Sequence, residues 1–372
     1  MVDISERKAA EKKLKDAKDV AEAATLLKNK FVSLVAHDIR SPLSTVIGLQ
    51  KYIVSKNKES QCNECRDWLG KSVGLCETMV VMTENLLESN NLHSGSIQIN
   101  RKLCNVKSLC DTVMNDLRGH AEKKEIVLKN ELPRGLRFYV DKVLFQRVIH
   151  NLVVNAIKFT ANGGEIIAFQ PEGRNVLAVK DTGVGISDGI LPDLFKYEVK
   201  TSSTGTSGER GTGFGLPLSM DIAKAHGGTI RATSQKGEGS VFFVEMPDAK
   251  PLVLVADDDE PSALIIRTSL ENMGAEVLEA KDGAGALKLV QERRPVLIIA
   301  DYTMRLSDGF TLLDSLKSGA EFSKTPVVVT TQCGADDIET RKKAFEFGAS
   351  DFLTKPLSDL DLIPRIGRFI AA

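Results

Sequence analysis

The sequence predicts three folds in series: an all-α dimeric four-helix bundle, an α+β sandwich, and an α/β doubly wound parallel sheet of five strands. Three observations predict this. Apolar residues step by three and four between Val20 and Leu87. Between Ile97 and Met246, short apolar runs are mixed with long helical stretches. From Pro251 onward, strands and helices alternate regularly, which is the pattern of a doubly wound sheet. At 372 residues the chain has room for two or three domains.

Composition narrows the class further. Apolar residues make up 42% and charged residues 27%, as in soluble globular proteins. A net charge of −1 gives no bulk attraction to nucleic acid or to an anionic membrane, so neither is expected as a partner. No apolar run reaches the about 18 residues a membrane span requires, and no signal peptide precedes the fold. Six cysteines without a disulfide-like framework fit a reducing, cytoplasmic setting, whether the full-length protein is soluble or membrane-tethered. Cys62 and Cys65 form a lone CxxC, read as two ordinary helix cysteines ahead of a redox switch or shared metal site.

Residues 1–30 form the first segment. From 5 to 30 they are rich in Ala, Lys and Glu and hold no Gly or Pro, which favours helix. Val20, Ala24, Leu27, Phe31 and Leu34 keep a heptad rhythm, the mark of a signalling coiled coil. The second segment, 31–95, opens with the amphipathic stretch FVSLVAHDIRSPLSTVIGL, Phe31–Leu49. His37 and Asp38 interrupt its apolar pattern, and Arg40 and Ser41 share the face of His37. Pro42 cannot donate to the carbonyl of Asp38, so a bend is expected there. A second helix, running to about Asn91, carries Leu69, Val73, Cys76, Val80, Thr83 and Leu87 at heptad spacing. One hairpin cannot bury two such seams, so two hairpins should pair into a homodimeric bundle.

The third segment, 96–247, has strands at Ile126–Leu128, Ile166–Phe169, Val176–Val179 and Val241–Val244. Helices fit Val106–Lys123, Lys142–Phe159 and Leu216–His226, beside a sheet expected to be antiparallel. A polar stretch from Ser187 to Gly211 is long enough to be a functional loop or lid. A linker of about five residues, Pro247–Pro251, spans under about 18 Å and leads to the fourth segment, 252–372.

Four groups of residues in the third segment suggest nucleotide chemistry. Asn151 and Asn155 lie four apart on one helix face, and amide oxygens can hold a hard cation such as Mg²⁺. Asp181 follows an apolar strand, where its carboxylate can accept the exocyclic amine of adenine. Gly183 and Gly185 let backbone approach a flat ligand closely. Gly211, Gly213 and Gly215 open a helix, whose N-terminus attracts phosphate. Each signal alone is weak; their order makes them specific.

HDIRSPL, HNLVVNAIKF, DTGVGI and GTGFGL, in this order, resemble the sequence boxes of sensor histidine kinases over residues 3 to 246. The resemblance implies a dimerisation and phosphoacceptor hairpin followed by a Bergerat-type ATP-binding domain. It makes His37 the phosphoacceptor, Asp38 the acceptor of its ring proton, and Ser41 a residue that positions water for dephosphorylation. It makes Asn155 the Mg²⁺ ligand with Asn151 nearby, Asp181 the adenine contact, Lys158 a neighbour of phosphate, and the loop before Gly211 the ATP lid. LPDLFKYEV looks like the phenylalanine box, with Phe195 as its aromatic. The opening VDISERKAAEKKL resembles the motif that closes PAS sensor domains, implying a sensor upstream.

The fourth segment resembles a response-regulator receiver over residues 251 to 372. Asp257, Asp258, Asp301, Thr331 and Lys355 should meet at the carboxyl edge of the strands. Three clustered carboxylates call for a cation, hence Mg²⁺. The resemblance makes Asp301 the phosphoacceptor and gives the metal to Asp257, Asp258, Asp301 and the backbone of Thr303. It places Thr331 and Lys355 at the phosphoryl oxygens and makes Phe352 the switch aromatic. Arg305 stands where the family usually has Pro, and Pro364 should kink or interrupt the last helix. Together the two resemblances imply a hybrid histidine kinase: ATP-dependent autophosphorylation of His37, then phosphotransfer to Asp301. Its downstream partner would be a histidine phosphotransfer protein or response regulator. The competing reading is a regulatory scaffold acting mainly as phosphatase or nucleotide-binding module.

Overall fold

The computed structural model describes residues 43–48, 50–51, 63–94, 99–171, 175–197, 204–207, 209, 213–304, 309–318, 322–332 and 337–371. His37, Asp38, Ser41, the bend at Pro42, Cys62, the side chain of Cys65, Gly211 and Arg305 lie outside the described residues, as does the coiled coil. Contacts divide the chain into two units. One comprises Met1–Ile99, Cys110–Leu132 and Leu144–Pro247; the other comprises Asn100–Leu109, Pro133–Val143 and Asp248–Ala372.

In the first unit, helix α1 is described over 43–48 and 50–51, and α2 runs Asn63–His93. Then come α3 (Val106–Glu122), β2 (Val127–Asn130), α4 (Lys142–Phe159), β4 (Glu165–Phe169), β5 (Val176–Asp181), α5 (Gly215–Ala225), β6 (Thr229–Gln235) and β7 (Gly239–Glu245). The sheet order is β2-β4-β5-β7-β6. The expected antiparallel sheet is in fact mixed: β2 pairs parallel to β4, and the remaining pairs are antiparallel. The helical connection from β2 through α4 to β4 lets these strands run the same way, as crossovers do. α4 buries Leu144, Phe145, Val148, Ile149, Leu152, Val153, Ala156 and Ile157, an i, i+3, i+4 stripe. α2 packs on α5, where Ser89 Oγ and the Tyr197 hydroxyl both donate to Asp221 Oδ2, at 2.9 and 2.7 Å.

The second unit holds an antiparallel ribbon, β1 (Arg101–Asn105) against β3 (Arg137–Asp141), in register from Arg101↔Asp141 to Asn105↔Arg137. The rest is β8 (Leu252–Ala256), α6 (Glu260–Asn272), β9 (Glu276–Ala280), α7 (Gly283–Arg293), β10 (Leu297–Asp301), α8 (Gly309–Ser318), β11 (Val327–Gln332), α9 (Asp337–Glu346), β12 (Asp351–Lys355) and α10 (Asp359–Ile370). All pairs in the order β12-β11-β10-β8-β9 are parallel. Alternate residues serve opposite faces. Leu254, Ala256, Ile298, Ala300, Val327, Val329 and Phe352 enter one core, and Val253, Val255, Leu297, Ile299, Val328 and Leu353 the other. Of the two outcomes expected at Pro364, an interruption does not occur: α10 runs from Asp359 to Ile370 through this proline. The single carbonyl it orphans belongs to Leu360, an 88% exposed residue that water can reach.

Candidate functional site

Two clusters carry the chemistry-bearing residues, one in each unit. In the first, β5 ends at Asp181, whose side chain is 4% exposed. Its Oδ1 accepts from the backbone N–H of Gly183 at 2.8 Å and of Ser240 at 3.3 Å. Burial pushes this carboxyl above its ordinary range, and the two backbone donors counter only part of that rise. The loop that follows is stitched down. Val184 N donates to Phe159 O (3.1 Å), Ile186 N to Ser234 Oγ (2.8 Å), and Gly237 N to Val184 O (2.9 Å). Gly185 has φ +68°, and a Cβ there would stand 2.1 Å from the Gln235 carbonyl oxygen; one on Gly183 would stand 2.5 Å from Phe159 O. Only glycine fits both places.

α4 presents Asn151, Asn155 and Lys158. Asn151 Nδ2 donates to Gly215 O and to Ser219 Oγ, both at 3.1 Å, so this amide ties α4 to the first turn of α5. Asn155 is half-buried. Lys158 is buried with its ammonium 4.4 Å from the centroid of the Phe159 ring, and burial lowers its pKa against the pull of Glu209. Gly213 (φ +80°) leads into α5, whose N-cap Phe214 makes no side-chain cap hydrogen bond. The positive end of the α5 dipole lies there and favours an anion. Phe195 is half-buried beyond the 3₁₀ turn Leu191–Asp193. Lys124, Thr206, Ser219 and Ser240 carried no signal in the sequence. A lysine in a charged run and single hydroxyls in polar stretches have no spacing that marks them.

In the second unit, carboxylate oxygens of Asp257, Asp258 and Asp301 lie within 4.8 Å of one another. Lys355 Nζ is 2.8 Å from Asp257 Oδ2 and 2.8 Å from Asp301 Oδ2, with all three side chains at or below 7% exposure. Burial raises the Asp257 carboxyl; the bonds from Lys355 and the Asp259 N–H offset only part of this. Burial acts to lower the Lys355 ammonium, but its two carboxylate partners outweigh it and the net shift is upward. Thr303 N donates to Asp301 Oδ1 at 3.3 Å. Thr331 is buried near the end of β11, and Phe352 is packed in the core. A compact set of hard carboxylate oxygens, with a lysine already supplying one positive charge, is chemically suited to a divalent cation such as Mg²⁺.

Residues 140–250 match the family of histidine kinase-, DNA gyrase B- and HSP90-like ATPases, and residues 253–367 match the response regulator receiver domain. The chain thus carries an ATPase domain of this family followed by a receiver domain, an order it shares with the hybrid histidine kinases of two-component signalling that it resembles. It is 25% identical to the sensor histidine kinase TmoS of Ectopseudomonas mendocina, over 92% of this chain and 40% of that protein. It is 26% identical to the autoinducer 2 sensor kinase/phosphatase LuxQ of Vibrio parahaemolyticus, over 96% and 45%. The virulence sensor protein BvgS of Bordetella bronchiseptica is 25% identical over 96% and 31%. The chain therefore spans less than half the length of these relatives. Among solved structures, full-length ShkA in complex with AMPPNP has a TM-score of 0.47 at 18% identity, covering 91% of this chain and 99% of that one.

Proposed function

We propose that this chain is the catalytic and receiver portion of a hybrid histidine kinase that phosphorylates His37 from ATP and passes the phosphoryl group to Asp301. The observation that carries the reading is the Asp257–Asp258–Asp301 cluster bridged by Lys355, in a chain that also matches an ATPase domain. An ATP-binding domain alone fits many activities; an aspartate acceptor beside it gives the phosphoryl group a destination.

In the ATP-binding domain, Asp181 accepts the adenine amine, Gly183 and Gly185 let the base lie against backbone, and Gly211, Gly213, Gly215 and the α5 N-terminus receive the phosphates. Asn155, with Asn151 nearby, holds Mg²⁺, and Lys158 lies toward the phosphates. The neutral imidazole of His37 attacks the γ-phosphorus in line. An N–P bond forms, the bond to the β,γ-bridging oxygen breaks, and ADP leaves. Asp38 takes the proton from the other ring nitrogen. In the receiver, an Asp301 oxygen then attacks phosphorus, the P–N bond breaks, and an acyl phosphate forms. Lys355 and Thr331 bind the phosphoryl oxygens, and Asp257, Asp258 and the Thr303 carbonyl hold the receiver's metal. Mg²⁺ supplies charge neutralisation at both sites. Ser41 positions water for the separate hydrolytic reaction, in which water attacks the phosphorus of a partner's acyl phosphate, the bond to the aspartate oxygen breaks and inorganic phosphate leaves. The hairpin 31–95 pairs with that of a second copy, a sensor acts upstream, and a histidine phosphotransfer protein or response regulator receives the signal, all in the cytoplasm.

Incubation with [γ-³²P]ATP tests this. Wild type should carry acid-labile label, His37→Ala should fall to background, and Asp301→Asn should hold its label on histidine for longer. Label that survives His37→Ala would overturn the reading.

A further inference from the structure

Among the described residues, one buried lysine, Lys124, lies outside the machinery just described. Lys124 follows α3 in a turn closed by bonds from Lys124 N, Glu125 N and Ile126 N to α3 carbonyls, with Glu125 at φ +55°. Its own carbonyl accepts from Gly163 N at 3.0 Å, so its backbone is held on both sides. Its side chain is only 7% exposed. The ammonium donates to Ile157 O (2.9 Å) and Lys158 O (3.2 Å) at the end of α4, to Thr206 Oγ1 (2.7 Å), and pairs with Glu209 Oε1 (2.8 Å). A cation at a helix C-terminus satisfies carbonyls that have no helical partner. Here it does so while gripping a second chain segment.

That segment belongs to the polar stretch Ser187–Gly211. Thr206 N donates to Lys158 O (3.0 Å) and Thr206 Oγ1 to Thr160 O (2.8 Å). Gly205 N donates to Glu209 O (2.8 Å), and Ser207 N to Glu209 Oε2 (2.9 Å). A Cβ on Gly205 would stand 2.6 Å from Lys158 Cγ, so the turn lies directly on the Lys158 stem. Burial acts to raise the Glu209 carboxyl, but the bonds from Lys124 and from backbone N–H groups outweigh it and hold it below its ordinary range.

We propose that Lys124 is a positioning residue for nucleotide binding: it pins residues 204–207 and 209 to the end of α4 and so fixes Lys158 and the point, Glu209, from which the chain runs on towards α5. Glu209 precedes Gly215 by six residues, so fixing it limits where the phosphate-binding turn can begin. The inference rests on the nucleotide reading of the first site, and Lys124 touches no reacting atom.

The test uses the full chain with Lys124→Met, which keeps the stem and removes the charge, and with Thr206→Val, which keeps the Lys124–Glu209 pair. The expected result for Lys124→Met is a rise in KM for ATP of about tenfold, the size of one charge-assisted hydrogen-bonding group. The rate of His37 labelling at saturating ATP should stay within about twofold. Amide exchange at 204–209, measured without nucleotide, should speed up while that of β5 holds. Lys124→Arg should recover most of the KM, and Thr206→Val should move it less in the same direction. An unchanged KM, a loss confined to the saturated rate, or unchanged exchange at 204–209 would each overturn the proposal. If Lys124→Met also loosens β5, Thr206→Val decides by the same measures. Failure of wild type to bind AMPPNP would instead overturn the nucleotide reading, and the exchange arm would still decide whether Lys124 pins the turn.

Discussion

Asp181 answers two opposing demands. Its burial favours the neutral acid, whereas in the proposed adenine-binding role an ionised carboxylate would be the stronger acceptor for the amine. Its pKa is raised in the fold. The group therefore contributes most to stability below its ordinary value of 3.8, and that contribution is lost as pH rises through the raised folded value. At neutral pH the charge is thus a cost to folding, which an amine donor bound there, as proposed, would offset. Asp181→Asn should fold at least as stably as wild type at pH 7, because an amide oxygen can still accept from Gly183 and Ser240. It should also lose about 10- to 150-fold in AMPPNP affinity, the worth of about 1.5–3 kcal/mol for a charged hydrogen bond. Urea denaturation and calorimetric titration check the two halves; a variant that binds as tightly as wild type would remove Asp181 from the base pocket. Asp181 was legible in the sequence, as a lone acid after an apolar strand and before two glycines. Its anchor Ser240 was not, because it sits 59 residues away and is brought alongside only by the register Asp181↔Ser240 of β5 and β7.

Among elements, legibility followed burial pattern. α4 was readable to its end residues because an apolar stripe runs its whole length. β6 was missed: Thr229–Gln235 is a polar edge strand in which Ile230 alone is fully buried, so it lacks an apolar run. β1 and β3 were missed for a related reason, since a two-stranded ribbon of mixed charge has no long apolar signature. The loop after β5 shows what a short motif does mechanically. Its glycines let it lie against the end of α4 on one side and the β6–β7 turn on the other. Gly185→Ala must relieve both a positive φ and contact with the Gln235 carbonyl, so it should destabilise the fold by about 1–3 kcal/mol. A lowered urea midpoint would report this, and a midpoint equal to wild type would mean that the loop stands clear of the turn.

At the scale of the molecule, the receiver was the most legible part. A parallel sheet buried on both faces must be written in nearly unbroken apolar strands, and LVLVA, LIIAD and VVVTT are such strands. Their acids stand at the carboxyl edge because no buried position inside the sheet would accept them unpaired. Among the described residues, the two receiver cores are made of residues between Val253 and Ile370. Those cores thus draw no described residue from the matched ATPase region 140–250. A single melting temperature then has no meaning for the chain. Scanning calorimetry should resolve two heat-absorption peaks, one moved upward by AMPPNP and the other by millimolar Mg²⁺ alone, each ligand stabilising by about 2.7 kcal/mol at a hundred times its Kd. One peak moved equally by both would show that the cores melt as a single cooperative body. If they melt separately, each half can be lost and regained while the other stays folded.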